Sequence, residues 1–502
     1  MGIIWTIAHW VIFAGAALAV LSDKGDSGRR AAWIIFMAVL PLLGLILYLC
    51  LGVNCRHPRY HERKHRRYST LSAEGYPEWV NVPLHSETAL EEIDPHLRPL
   101  GRLLSCEDRP MPSSGNDLEV ICSGKRKYEL LMQDIAHAKE YIHMEYYLFG
   151  DDKWSDPVKD ALIAKAKEGV KVRFIRENVA NYSIGEKYYD QMKEAGIEVL
   201  KFTDPEKHFF SFLPRLNYRD HRKIVVIDGL VGYTGGMNIK DRYFEKWRDT
   251  HLRIQGPAVN SLQHIFLDTW VNLGGEMDRP LEEYFTPDHE FRQTGTDSEG
   301  EGHWEETGIA SLDSPIPVVK DTVLQTVPDD PSSAYPACQM GYEWILNNAR
   351  EYVYLQTPYF VPPESILSAL KGAALRGVDV RVMIPAEAET WFIGPANNSY
   401  IRECLASGIR IFLRGGQFIH SKTLVCDDSV SIIGSSNIDP RSFDINYEIN
   451  TFIYGERACL LNKEIFFKDC EVSTETDLQT WIKRPWYSVL WDNLLRLFSP
   501  LL

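Results

Sequence analysis

The chain opens with two apolar runs, residues 3–21 and 31–52, separated by the short polar stretch SDKGDSGRR. Each run is near the length of about 20 residues that a helix needs to cross a bilayer. The pattern predicts a two-helix transmembrane hairpin over residues 1–55. No basic region precedes the first run and a second run follows at once, which disfavours a signal peptide. Residues 56–115 read as a basic juxtamembrane segment and linker, with Arg56, Arg59, Arg63, Lys64, Arg66 and Arg67 directly behind the second run. The loop inside the hairpin carries only Lys24, Arg29 and Arg30, so the cation excess puts both termini on the cytoplasmic side. The basic stretch is then expected against anionic headgroups.

From residue 116 the periodicity alternates between strand and helix. LEVICSG, KYELLMQDIAHAKEYI and HMEYYLF read as strand, helix and strand. A helix near 157–168 leads to VKVRFI, and KYYDQMKEAG leads to IEVLKF. The second half repeats this loosely. ALKGAALRGVDVRVMI parallels ALIAKAKEGVKVRFI, with Gly169/Gly377 and Arg173/Arg381 in step, and SYIRECLASGIRIFLR mirrors KYYDQMKEAGIEVLKF. The expected fold is α/β: two homologous halves, 116–279 and 315–485, each a mixed, largely parallel sheet flanked by helices. Between them, 280–314 is an acidic linker rich in Asp, Glu, Gly and Ser. The C-terminal segment 486–502 is amphipathic, with Tyr487, Leu490, Trp491, Leu494, Leu497, Phe498 and Leu501 at helical spacing. A helix docked on the core and an interfacial membrane helix both satisfy that spacing.

A tighter repeat lies inside the two halves. His221, Lys223, Asp228, Gly235, Asn238 and Arg242 recur 199 residues later as His420, Lys422, Asp427, Gly434, Asn437 and Arg441. The register extends to Asp249 and Glu448, both acidic. The apolar runs at 224–227 and 424–426 read as short buried strands, so His221 and Lys223 share a face, as do His420 and Lys422. Imidazole beside ammonium suits a phosphorylated substrate: one group reacts and the other neutralises oxygen charge. Asn238 and Asn437 are candidate donors to phosphoryl oxygens, and Asp249 and Glu448 candidate holders of a histidine Nδ1–H. A merely structural duplication has no need to keep His, Lys, Asn and an acid together.

Charge and composition narrow the picture. Lys and Arg number 54 against 69 Asp and Glu, a formal net charge of −15, which argues against nucleic-acid binding. The nine cysteines are odd in number and lack any C-x-x-C, so they read as reduced thiols. His61-Glu62-Arg63-Lys64-His65 is a literal H-E-x-x-H, with His57 a turn away. A dication amid six Arg and Lys is disfavoured, and the stretch reads as a solvated basic face, with no metal site expected. His208, Phe209, Phe210 and Phe212 form either an apolar lip beside the first motif or ordinary core.

HRKIVVIDGLVGYTGGMNI and HSKTLVCDDSVSIIGSSNID resemble the paired HKD motifs of the phospholipase D superfamily. LNYRDHRKIVVIDG, KWRDTHLRIQGPAV, TPYFVP and GSSNIDPRSFDINYE are similar to its bacterial cardiolipin synthase branch, and the resemblance runs through essentially the whole chain. It implies a phosphatidyltransferase that converts two phosphatidylglycerol molecules to cardiolipin and glycerol through a phosphohistidine, with no cofactor. His221 is then the nucleophile and His420 the acid/base. Lys223, Lys422, Asn238 and Asn437 stabilise phosphoryl oxygens, and Asp228 and Asp427, part of the motif, are more structural than catalytic. The implied partners are phosphatidylglycerol, cardiolipin and the bilayer, with no nucleic acid; oligomeric state is open. The implied location is the cytoplasmic membrane of a bacterium, as a multi-pass protein whose catalytic domain faces the cytoplasm. Departures are Arg176-Glu177-Asn178 where the family often has a Tyr-Asp-type sequence, Asp220 where Asn is common, and Cys426 before Asp427. They bear on acceptor preference. A hydrolytic phospholipase D, another phosphatidyltransferase, a nuclease and a silent membrane scaffold are the alternatives. Two intact His-x-Lys motifs argue against the last.

Overall fold

The apolar runs behind the two His-x-Lys motifs form buried strands, Lys223–Ile227 and Thr423–Cys426, each in the middle of its own half. A computed structural model describes residues 2–22, 27–48, 88–106, 110–202, 218–287, 309–331 and 333–497, with Gly52 and Phe291 besides. The H-E-x-x-H stretch with its basic neighbours, the cluster at 208–212, most of the acidic linker, Phe498 and Leu501 lie outside the described residues.

The strands in chain order are β1 Ser113–Ile121, β2 Tyr141–Tyr146, β3 Lys171–Arg176, β4 Glu198–Lys201, β5 Lys223–Ile227, β6 Val231–Gly235, β7 Trp247–Arg248 and β8 His251–Gln255. The second half adds β9 Val319–Asp329, β10 Tyr352–Gln356, β11 Asp379–Pro385, β12 Arg410–Arg414, β13 Phe418–Ile419, β14 Thr423–Cys426, β15 Val430–Gly434, β16 Glu448–Tyr454 and β17 Ser473–Thr476. Fifteen of them form one sheet in the order β17-β12-β11-β10-β14-β15-β16-β9-β1-β8-β6-β5-β2-β3-β4. Read outward from the β9–β1 seam, both halves follow the same order, with β17 added at one edge. The duplicated sequence is thus a duplicated topology.

Two expectations change. The halves do not hold separate sheets: β1 and β9 pair antiparallel and fuse them. Asn116 fastens this seam, donating to Ser113 O at 2.8 Å and Thr322 O at 3.0 Å and accepting from Ala258 N at 2.8 Å. Nor is the sheet largely parallel. Only β2–β3, β3–β4, β10–β11 and β11–β12 are parallel among its described pairs, each pair being consecutive neighbours joined by a helical crossover. β5–β6 and β14–β15 are hairpins, which force antiparallel neighbours.

Helices Gly124–His137, Ser155–Lys167 and Glu186–Glu194 bury Leu131, Leu162 and Met192 on the first half. Helix Ala258–Asn272 lies beneath the centre, where Leu262, Phe266 and Trp270 join one cluster with Leu461 and Ile465 of helix Glu456–Cys470. Residues 88–104, in the segment read as juxtamembrane linker, pack Leu90, Ile93, Leu97 and Leu100 into the second half's core.

At the N-terminus, helix Gly2–Ser22 is followed by Ser27–Val39 and Pro41–Leu47. The second apolar run is interrupted at Pro41, which lacks an N–H and drives Leu40 out of helical geometry, to φ −134° and ψ 72°. Among the described residues, no helix is long and apolar enough to cross a membrane.

Asp228 and Asp427 end β5 and β14 in left-handed conformations, φ 51° and 50°. The Asp228 carboxylate accepts from Lys139 N, Glu140 N and Tyr141 N at 2.7–2.9 Å, and Asp427 accepts from Arg350 N, Glu351 N and Tyr352 N at 2.8–2.9 Å. Each pins the start of the neighbouring strand, β2 or β10. Asp228→Ala and Asp427→Ala should each cost about 1–3 kcal/mol by stranding these donors. Asn, which keeps one acceptor oxygen, should cost less. Thermal melting of the detergent-solubilised protein checks this; an unchanged Tm in the Ala variants would contradict it.

Candidate active site

Before entering β5 or β14, each His-x-Lys segment pairs with the opposite half. His221 N donates to Tyr447 O at 2.9 Å, and Tyr447 N donates to Arg219 O at 2.8 Å. In the mirror arrangement His420 N donates to Arg248 O at 2.7 Å and Phe418 N to Lys246 O at 3.1 Å, so β7 and β13 run parallel. These crossed ladders bring each acid of the repeat to the other half's histidine. His221 Nδ1 lies 3.0 and 2.9 Å from the two Glu448 oxygens. His420 Nδ1 lies 2.6 Å from Asp249 Oδ2.

The two acids differ in length, and the chain around them differs to match. The Glu448 carboxylate also accepts from Ser435 Oγ and, at 3.1 Å, from Asn446 Nδ2. The residue in register with Ser435 is Gly236, where a Cβ would come within 2.2 Å of Asp249 Oδ1. The shorter Asp draws its carboxylate against the backbone, and only glycine leaves room.

Both imidazoles face one cavity of about 260 Å³, lined also by Arg219, Arg242, Arg441, Asn437, Tyr147, Tyr243, Trp247, Tyr359 and Glu389. Trp247 stacks on His420 with ring centroids 4.7 Å apart, and Tyr147 meets His221 edge-on at 4.8 Å. Lys223 and Lys422 are buried beside their histidines, and each ammonium donates to the carbonyl of its own histidine. Lys422 Nζ also lies 2.8 Å from His420 Nδ1.

The motif asparagines diverge. Asn437 lines the cavity, whereas Asn238 is fully buried behind it, accepting from Leu148 N at 3.0 Å and donating to Tyr243 OH at 2.6 Å. Asn238 therefore positions Tyr243 and the β2 exit, and the donation to phosphoryl oxygen expected of it is corrected. Asp228 and Asp427, at the far ends of β5 and β14, do not line the cavity. Conversely, Glu389 lines the cavity from outside the repeat register, where the sequence carries no signal for it. It takes Arg242 Nη1 at 2.9 Å and Tyr359 OH at 2.5 Å. Arg242 and Arg441 were visible as a matched pair, without a role.

Burial dominates the electrostatics. It lowers His221 to about 4, aided by Lys223 and opposed by Glu448. It drives His420 well below the ordinary imidazole value, with Lys422 and Lys223 adding to the effect. Lys223 falls to about 7 and Lys422 to about 8 for the same reason, against the pull of the nearby acids. Burial raises Asp249 to about 6, whereas the contact with His221, hydrogen bonds from His221 and Ser435 and the nearby Lys223 overcome burial and hold Glu448 low. Behind His221, burial also raises Asp220 to about 7, and its neighbour Glu145 is raised too. In its neutral form Asp220 offers one donor and one acceptor, as an Asn would.

The free cleft is thus short of protons for an anion-binding site. Near pH 8 Lys223 is mostly neutral, and a bound anion raises its pKa, so anion binding should take up close to one proton per site. Calorimetry of sulfate binding in buffers of different ionisation enthalpy measures this uptake. Lys223→Met should reduce it, and uptake of zero at pH 8 would contradict the assignment.

Comparison with known proteins gives a consistent answer. A family model described as "Cardiolipin synthase, PLD-like domain" matches residues 131–270 and 343–469, and one described as "Phospholipase_D-nuclease N-terminal" matches 3–52. The major cardiolipin synthase ClsA of Bacillus subtilis (strain 168) is 31% identical over 97% of this chain and 96% of its own. A cardiolipin synthase of Clostridium perfringens (strain ATCC 13124) is 34% identical over 94% of both chains. Among solved structures, phosphatidylserine synthase of Haemophilus influenzae Rd KW20 superposes with a TM-score of 0.55 at 15% identity, over 77% of this chain and 95% of that one, a likeness of fold. With two copies of the His-x-Lys strand, one shared cleft and full-length relatives of this kind, the chain belongs to the cardiolipin synthase family of phospholipase D-like proteins.

Proposed function

We propose that the protein is a cardiolipin synthase, which transfers the phosphatidyl group of one phosphatidylglycerol to the terminal hydroxyl of another and releases glycerol. The observation that carries this reading is the meeting of two carboxylate-held imidazoles in one cleft, in a chain that aligns end to end with curated cardiolipin synthases.

His221 acts as nucleophile. Low-lying Glu448 holds its Nδ1–H, leaving the Nε2 lone pair for phosphorus. As the N–P bond forms, the P–O bond to glycerol breaks and His420 gives its proton to the departing oxygen. Neutral His420 then takes the proton of the incoming hydroxyl, the new O–P bond forms and the N–P bond breaks. The substrate's negative charge, with Asp249 at 2.6 Å, supports the imidazolium that the empty cleft disfavours. Lys223 and Lys422 stabilise the phosphoryl oxygens by charge and Asn437 by hydrogen bonding. Every step is reversible.

The same reading anchors the protein in the bacterial cell membrane through a hairpin over 1–55, with residues 56–115 behind it. The catalytic halves, 116–279 and 315–485, flank the linker 280–314 and face the cytoplasm, and 486–502 forms an amphipathic end. The N-terminal match over 3–52 supports this, as do the exposed side chains of Trp10, Leu18, Ile35, Val39 and Leu42.

Labelled phosphatidylglycerol incubated with the solubilised protein should give cardiolipin and glycerol. His221→Ala and His420→Ala should each lower the rate by about a thousandfold or more. Glu448→Gln and Asp249→Asn should lower kcat by about a hundredfold or more with little change in KM. Phosphatidic acid as the sole product would make water the acceptor, and no turnover by folded wild type would refute the transfer.

A further inference from the structure

The last described helix, Trp486–Arg496, is packed inside out. Its inner side is polar: Asp492 is 4% exposed and pairs with Arg484 at 2.7 Å, and Arg496 pairs with Glu403 at 2.7 Å while covering the Tyr400 ring. Leu495 is the one fully buried apolar side chain on that side. The outer side carries Trp486, 76% exposed, and Leu490, 60% exposed, with Leu494 and Leu497 in line at helical spacing. A helix kept only for stability buries its apolar stripe and shows its charges; this one does the reverse.

The outer face does not end with the helix. Trp491 stacks against Trp391 with ring centroids 6.3 Å apart and planes at 25°. Trp391 is 72% exposed and stands between Thr390 and Phe392, both of which line the active-site cleft. One apolar, aromatic surface therefore runs from the C-terminal helix to the rim of the cleft, and Lys483 is exposed at its start. Tryptophan and leucine beside the cations Lys483 and Arg484 suit the boundary between headgroups and acyl chains of an anionic bilayer.

We propose that Trp391 and the outer face of this helix insert into the surface of an anionic phospholipid bilayer and seat the mouth of the cleft on it. A phosphatidyl substrate then reaches the histidines while its acyl chains stay in the membrane. This rests on the phosphatidyl-transfer reading and adds the surface by which the cleft meets its substrate.

The test uses the full chain reconstituted in phosphatidylglycerol-containing vesicles. The variants are Trp391→Ser and the double variant Trp486→Ser/Leu490→Ser, all at exposed positions outside the catalytic machinery. Turnover of long-chain phosphatidylglycerol in vesicles should fall by about tenfold or more. Turnover of monomeric dihexanoyl-phosphatidylglycerol should stay within about twofold. Brominated lipids should quench tryptophan fluorescence in wild type more than in Trp486→Phe/Trp491→Phe. Equal losses on both substrates, no loss on either, or a wild-type dimer that becomes monomeric in the variants would each overturn the proposal; the last would assign the face to a second copy of the chain. If wild type turns over neither substrate, the transfer reading fails, and bromine quenching still decides whether this surface meets lipid.

Discussion

Each imidazole in the cleft is held by a carboxylate from the opposite half, and much else in the molecule follows from that exchange. For Glu448 to reach His221 and Asp249 to reach His420, the strands before and after the cleft have to cross. They do so through paired backbone ladders, Tyr447 against Arg219 and His221, and Lys246 and Arg248 against Phe418 and His420. Neither half contains a complete histidine–acid pair, so a folded half alone would present an imidazole with free rotation and no fixed tautomer. Gly236 and Ser435 show how closely the backbone is fitted to this exchange, one making room for a carboxylate and the other donating to it.

The supports behind the two histidines differ. Behind His221, Arg222 sits among several acids, Glu145 and Asp220 closest, with Glu177, Asp268 and Asp330 around them. In the other half the matching places are Gln356, Ile419 and Ser421, and the charges are instead Arg248 and Arg414 around Asp469, at 2.9 and 2.8 Å. Burial raises the acids of the first cluster toward their neutral forms, while the second is held by ion pairs. The halves are alike in topology and unlike in local electrostatics, which fits two histidines that begin a reaction in opposite protonation states.

The sequence disclosed the parts that are local. The short apolar runs at 224–227 and 424–426 and their common register were enough to place His and Lys together on a strand. A register, however, says which residues correspond, and is silent on which half they face, so the crossing of the acids was hidden. The β1–β9 seam joins segments roughly 200 positions apart and has no local signature. Asn238 and Asn437 look equivalent in sequence, yet Tyr243 engages one of them and leaves its twin at the cavity wall. Pro41 was in plain view inside an apolar run, and hydropathy alone passes over the backbone break it causes.

The seam also constrains motion. Many two-lobed enzymes close on their substrates by bending a linker, but here β1 and β9 stitch the lobes into one continuous sheet. Among the described residues the walls of the cleft belong to one sheet, with no linker hinge between them. In the proposed reaction glycerol departs while the phosphatidyl group stays on His221, and the second lipid has to reach it through the same mouth. On that geometry, access at the rim rather than closure of the lobes selects the alcohol that completes the proposed reaction.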